Sequence, residues 1–362
     1  MSGNGTTGGK ISPNYEASVW TSDALFELFD SLAANYRLYG PVGSGNGAAF
    51  RAVSTAGDMN LEGGRTMTPP AKALFFRPRQ DLLQFNLQGD MTVEELKAQT
   101  APSLLIGIRP CDVHALDYLD LTLGTDPYYR AVRHNTLLLT VNCPRPSRYC
   151  FCASVGTGPF LAATAGSDAV LTGLAEGYLV EPRNEKTARL FTGGKRAAEG
   201  HFRQKADLEQ AARQGFAKHI DVNGLEQTLP AAVDHEVWSR TADERCLSCT
   251  NCVMVCPTCF CHDIRDRVDM GLERAVRYRQ WDACQDIGFA EVHGGNFRRT
   301  RAARLRQFVL HKLDFSTQYG QQGTVGCGRC IQWCPTGIDL TEMAREICQD
   351  APHPANPEKN PC

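Results

Sequence analysis

At 362 residues, with 42% hydrophobic and 22% charged side chains, the chain has the bulk for two or three domains with ordinary cores. A formal net charge of -2 gives no reason to expect nucleic acid or an acidic membrane surface as partner, and no apolar run approaches the length of a bilayer span. Sixteen cysteines, in a chain whose N-terminus lacks the apolar core of a secretory signal, lead us to expect a cytoplasmic protein whose clustered thiols bind metal rather than pair as disulfides.

Residues 1–20 are polar and rich in Gly, Ser and Thr, and are expected to be a disordered tail. Apolar residues at helical spacing from Asp23 to Leu32 predict a first helix. The glycines between Leu38 and Gly47 follow no clear strand and lead into no amphipathic helix, so they read as a mobile loop rather than a dinucleotide site. The run Ser103–Ile108 predicts a strand, Ala115–Leu119 a helix, and Thr136–Val141 a second strand that ends in Asn142-Cys143. Such a parallel βαβ unit gathers functional groups at the carboxyl ends of its strands, where Cys111 and Cys143 stand, with Cys150 and Cys152 close behind. Residues 21–200 are therefore predicted as an α/β domain. The charged, helix-prone stretch 201–245, which has no cysteine, reads as a helical bridge. Residues 246–346 read as an α+β ferredoxin-like domain carrying two clusters, with an insertion over 262–323 that holds Trp281-Asp-Ala-Cys284 and a basic helix from Arg298 to Lys312. The remainder, 347–362, is a proline-broken tail.

The strongest motif is Cys246-x2-Cys249-x2-Cys252-x3-Cys256-Pro257, the bacterial ferredoxin spacing, in which three thiolates grip one iron–sulfur cluster and the fourth serves another. A partial second copy is Cys327-x2-Cys330-x3-Cys334-Pro335. Applying the pattern residue by residue, Cys246, Cys249, Cys252 and Cys334 hold a first cluster, and Cys256, Cys327 and Cys330 a second. The second lacks a ligand because Thr324 stands where the repeat would place a cysteine. Three completions remain open: a cubane closed by another residue or by solvent, a three-iron cluster, or a thiol supplied by Cys259, Cys261 or Cys284. Zinc does not suit the motif, since zinc knuckles have no x3-Cys-Pro continuations.

Cys111, Cys143, Cys150 and Cys152 match no short regular motif, but their number and their convergence at strand ends suggest a third four-iron cluster, with zinc or plain thiol burial as alternatives. The arginines and lysine from Arg298 to Lys312 could neutralise cluster charge, receive an acidic partner, or form a solvated helix face. His114 and His262 read as hydrogen-bonding neighbours of the thiols rather than ligands, and Cys348 and Cys362 as incidental. No phosphate-binding loop, zinc-protease helix, nucleophile elbow or haem-attachment motif is present, so no catalytic site of its own is expected.

With those residues in view, the chain resembles the iron–sulfur beta subunits of cytoplasmic NAD(P)-linked nickel–iron hydrogenases of the sulfhydrogenase type, and the related A subunit of anaerobic sulfite reductase. The resemblance spans about residues 22–346. Its marks are Pro69-Pro-Ala-Lys72 with Phe75-Phe76, Arg109-Pro-Cys-Asp112, Asn142-Cys143, Cys150-Phe-Cys152, Gly156-Thr-Gly-Pro159, Cys246 through Cys261, Trp281-Asp-Ala-Cys284, Gly294-Gly-Asn296, His311-Lys312 and Gly326-Cys-Gly-Arg-Cys330. It implies three clusters and electron transfer between a partner subunit that binds FAD and NAD(P) and the small and large subunits of a nickel–iron hydrogenase, or the subunits of a sulfite reductase. Two other classes remain open: a scaffold whose clusters are structural, and an enzyme that binds substrate at an open cluster corner, for which Thr324 is the one hint.

Overall fold

A computed structural model describes residues 15–44, 47–63, 70–98, 100–314 and 316–350. The strands are β1 (Ser18–Trp20), β2 (Arg37–Val42), β3 (Ala49–Ala52), β4 (Arg79–Asn86), β5 (Thr92–Glu95), β6 (Ser103–Ile108), β7 (Thr136–Val141), β8 (Ala169–Leu174), β9 (Gly177–Pro182), β10 (Lys195–Arg196), β11 (His262–Val268), β12 (Arg274–Trp281), β13 (Glu291–Val292) and β14 (Gly295–Asn296). The helices are α1 (Ser22–Leu32), α2 (Pro110–Leu123), α3 (Pro127–His134), α4 (Glu185–Leu190), α5 (Glu199–Gln214), α6 (Leu225–Ala231), α7 (Glu236–Glu244), α8 (Asn251–Met254), α9 (Arg301–Leu313), α10 (Ser316–Tyr319), α11 (Arg329–Gln332) and α12 (Leu340–Asp350).

Strand β6 is buried along its whole length, as a run without polar alternation must be when both faces of a sheet are covered. It lies between β2 and β7, parallel to both, and β7 runs parallel to β8. These strands are the middle of an eight-stranded mixed sheet ordered β10-β1-β9-β8-β7-β6-β2-β3. The expected βαβ unit is thus present, and Pro110 starts α2 at a position where its missing N–H costs nothing. One face of the sheet packs on α1 through Leu25 and Phe29, the other on α2 through Val113, Leu116 and Leu119. Thr21 caps α1 by accepting the amide of Ala24 at 3.3 Å.

Three local expectations come out differently. Residues 18–20, placed in the polar tail, form β1, because its pairing with β9 and β10 supplies the hydrogen bonds that its short sequence cannot advertise; residues 1–14 lie outside the described set. The first part of the glycine-bearing stretch after Leu38 lies in β2, which pairs with β3, while residues 45 and 46 of the expected loop lie outside the described residues. The charged helix α5 does not stand clear as a bridge but packs on the sheet, with Lys205 Nζ 2.6 Å from Glu181 on β9.

A second, four-stranded antiparallel sheet, ordered β11-β12-β4-β5, crosses between the two halves of the chain. The β11–β12 hairpin comes from the stretch read as an insertion, and β12 pairs with β4 from residue Arg274 opposite Asn86 to Gln280 opposite Arg79. A third core gathers around α6, α7, α9 and α12, using Leu229, Trp238, Phe308 and Met343. No described helix is long and apolar enough to cross a membrane.

A buried ion pair also joins the halves: Arg329 on α11 reaches Asp112 on α2 at 2.7 Å, with side chains 0% and 1% exposed. Removing one partner of such a pair strands the other charge in a medium that cannot solvate it. Asp112→Ala should therefore destabilise the iron-free protein by about 3–5 kcal/mol, read from chemical denaturation; an unchanged midpoint would show that the pair holds nothing together.

Candidate metal centres

Among the described residues, fourteen cysteines with free thiols occupy three regions. The first region is the loop after α7. Cys246, Cys249 and Cys252 line one pocket with Cys334, which follows α11, and with the apolar side chains of Leu305, Phe308 and Val309. Burial and the neighbouring sulfurs of Cys246, Cys249, Cys334 and Cys256 push the Cys252 thiol up. The loop is held under strain: Ser248 and Thr250 have φ of 51° and 67°, a left-handed conformation that costs a non-glycine residue about 1–2 kcal/mol. Helix α9 supports it from beneath. Arg301 Nη1 donates to Cys246 O at 3.2 Å, and Arg304 spans Ser248 Oγ at 3.4 Å and Arg299 O at 2.7 Å. The basic helix therefore buries two of its arginines' donors in the loop instead of presenting them all to solvent. Gln285 lines the same pocket, 1% exposed, and neither end of its amide has a hydrogen-bond partner among the described residues.

The second region brings Cys256 beside Cys259, and Cys261 beside Cys284. Two buried lysines attend them. Lys312 Nζ donates to Thr258 Oγ1 at 2.9 Å and Gly323 O at 3.1 Å; Lys72 Nζ donates to Cys259 O at 2.6 Å and lies 4.3 Å from the centre of the Trp281 ring. Burial raises the Cys256 thiol, but the hydrogen bond from Cys259 and the ammonium groups of Lys312 and Lys72 outweigh it and hold Cys256 well below the usual thiol range. Cys261 is drawn down to about 7, mainly by its hydrogen bond with Cys284. Burial opposes both ammonium groups. At Lys312 the sulfurs of Cys256 and Cys259 overcome it and lift the group well above the ordinary lysine value, whereas Lys72 stays below its own. Cys330, pushed up by burial, has Cys256, Cys327 and Cys252 as its sulfur neighbours and also lines the first pocket, so it stands between the regions.

The third region packs Cys111, from the first turn of α2, against Cys150, Cys152 and Cys327. Cys143 lies at its edge, close enough to raise Cys152, with its own Sγ 3.6 Å from Arg145 O. Gly326 and Gly328 make the approach of the Cys327 loop possible. Both have positive φ, and a Cβ on either would sit 2.6 Å from the Cys152 backbone or 2.1 Å from Tyr149 O. Phe151 N then donates to Gly326 O at 2.7 Å, and Thr157 Oγ1 to Val325 O at 2.7 Å.

The sequence-predicted residues are thus distributed as follows. Cys246, Cys249, Cys252 and Cys334 are brought together. Cys256 and Cys330 are neighbours, while Cys327 sits with Cys111, Cys150 and Cys152. Thr324 faces none of the thiols: its Oγ1 accepts Gly326 N at 3.2 Å and it lines a separate cavity with His114, Tyr118 and Gln322. His262 rests its ring edge against Phe76, away from ligation. Sequence reasoning missed Lys72, Asp112 and Arg329 as functional charges. A lysine inside the apolar run Pro70–Phe76 and an arginine between two cysteines were the available signals.

These surroundings suit iron–sulfur clusters. The donors brought together are thiols, and buried cations stand beside them, with the buried carboxylate of Asp112 paired to Arg329. Residues 245–338 match the family model of a 4Fe-4S dicluster domain. Over 334 residues the chain is 33% identical to sulfhydrogenase 2 subunit beta of Pyrococcus furiosus, a match covering 90% of this chain and 96% of that protein. No solved structure matches significantly.

The second region also has a pH signature. His311 packs edge-on against Phe260 at 5.6 Å, and burial, with Lys312 next to it, lowers its pKa to about 4 from an ordinary 6.5. The unfolded chain therefore binds the extra proton first as pH falls. Stability from this residue is complete above about pH 6.5 and is lost toward pH 4, by about 2–3 kcal/mol. Denaturation of the iron-free protein across that range should show the loss, and His311→Phe should flatten it; parallel profiles would refute the assignment.

Proposed function

Because the chain belongs to the sulfhydrogenase subunit beta family, we propose that it is the electron-relay subunit of a hydrogenase complex, passing single electrons between an FAD- and NAD(P)-binding subunit and nickel–iron catalytic subunits. Hydride and hydrogen chemistry belong to those partners, and this chain supplies the path between them. Bound iron–sulfur clusters provide one-electron acceptance and release, at potentials set by ligands, charge and hydrogen bonds.

The observation that carries the reading is the layout of one short run. Cys327, Cys330 and Cys334 flank and cross α11 and link the regions: Cys327 sits with the third, Cys334 with the first, and Cys330 stands between, lining the first pocket and neighbouring Cys256, Cys327 and Cys252. Three sites so linked are close neighbours, as a relay needs. We assign the first site to Cys246, Cys249, Cys252 and Cys334. The second uses Cys256 and Cys330 with the remaining ligands from Cys259, Cys261 and Cys284. The third is built on Cys111, Cys150 and Cys152, with Cys143 and Cys327 at its edges. On this assignment Thr324 is not the site of a missing ligand.

The rest of the chain serves those thiols. Lys72 and Lys312 favour the thiolate form at the second site, and Arg329 offsets negative charge at the third, where burial works against its own charge but Asp112, Cys327 and Cys111 prevail. The aromatic shell of Phe76, Phe260 and Trp281 keeps water from the lysines.

Anaerobic reconstitution should yield about twelve iron and twelve sulfide per chain, the sum of three [4Fe–4S] clusters. Cys249→Ser and Cys256→Ser should each remove about four iron, and Thr324→Cys should leave the EPR spectrum unchanged. NAD(P)H should reduce the clusters only when the flavin subunit is added. A colourless protein, or clusters that no physiological donor reduces, would defeat the relay; sirohaem in the native complex instead of nickel would move it to sulfite reduction.

A further inference from the structure

Gln285 directly follows Cys284, so one peptide step separates a thiol of the second region from an amide in the first. Two unpaired ends on a buried amide are costly, about 1–3 kcal/mol for each group left without a partner. A leucine would fill the same space in this apolar pocket without that cost. The amide therefore calls for a partner that the described protein atoms do not supply. The five cysteines lining the pocket show where that partner sits.

We propose that Gln285 donates an N–H···S hydrogen bond from Nε2 to the sulfur-rich anion held by Cys246, Cys249, Cys252 and Cys334, and thereby raises the reduction potential of the first site. This rests on the first-site reading above. Electrostatics selects the orientation of the amide: an anion attracts the N–H end and repels the carbonyl oxygen. A hydrogen bond to the charged form favours that form, and the reduced site carries one more negative charge, so the contact strengthens on reduction. Two other groups reach a first-site sulfur: Thr336 Oγ1 lies 3.4 Å from Cys334 Sγ, and a backbone amide approaches the same atom. Ile338 N reaches Cys334 Sγ at 3.3 Å and is fixed by the backbone, so no substitution of its side chain removes it. Gln285 differs from both in having no partner among the described protein atoms. It is a positioning and tuning residue, holding no metal itself.

The test uses the full chain, reconstituted anaerobically with iron and sulfide, as wild type, Gln285→Leu and Gln285→Met. The first-site EPR signal is defined as the one that Cys249→Ser abolishes, and its midpoint is followed by redox titration. Both Gln285 variants should keep wild-type iron content, shift that midpoint to more negative potential, and leave the other signals in place. Without iron, they should melt no lower than wild type, since they remove an unsatisfied amide. An unshifted midpoint, with Cys249→Ser still abolishing the signal, overturns the hydrogen bond alone. If Cys249→Ser removes neither iron nor signal, the first-site reading fails and takes this proposal with it. Lower melting of the iron-free variants with an unshifted midpoint would make Gln285 a purely structural residue, which also overturns it.

Discussion

Negative charge collected on sulfur inside a protein must be answered by positive charge nearby, because an unpaired ion in a low-dielectric interior costs several kcal/mol. In this molecule the answering charges come from far along the chain. Lys72 precedes the first parallel strands, yet its ammonium bonds the carbonyl of Cys259. Arg329 lies between two cysteines of the C-terminal half, yet its carboxylate partner is Asp112 on α2. Part of the electrostatic requirement is thus met where the two halves touch, and the β12–β4 pairing joins them in register.

Close approach is the second requirement, and backbone geometry supplies it. The loop carrying Cys327 lies against the loop carrying Cys150 and Cys152 only because two glycines remove the atoms that would collide. At the first site the opposite device operates. Ser248 and Thr250 are forced into the left-handed region and kept there by arginines from α9, so that the loop curls around its pocket. Helices, glycines and cations therefore act on one feature, the placement of sulfur.

What the sequence disclosed was local. The parallel strands read from their unbroken apolar runs, the first helix from its spacing, and the ferredoxin half-motif from the distances between its cysteines, all properties of a short window. What it concealed was pairing across distance. The hairpin His262–Trp281 alternates charged and apolar residues on mostly exposed strands and gives no hint that its partner is β4, some two hundred residues earlier in the chain. By the same logic, the half-motif pattern puts Cys327 with Cys256 and Cys330, whereas the neighbours that the fold gives it include Cys111, Cys150 and Cys152, which no spacing rule connects to it. Buried charges are equally silent, since a lysine in a sequence looks like a surface residue until its surroundings are known.

The four residues of α11 and the cysteines around them touch every thiol group at once. On the proposed ligand sets, that turn cannot relax at one end without disturbing the other. Oxidative loss at one centre then propagates to its neighbours instead of staying local, and maturation becomes hierarchical: the first centre filled fixes the backbone that orders the ligands of the next.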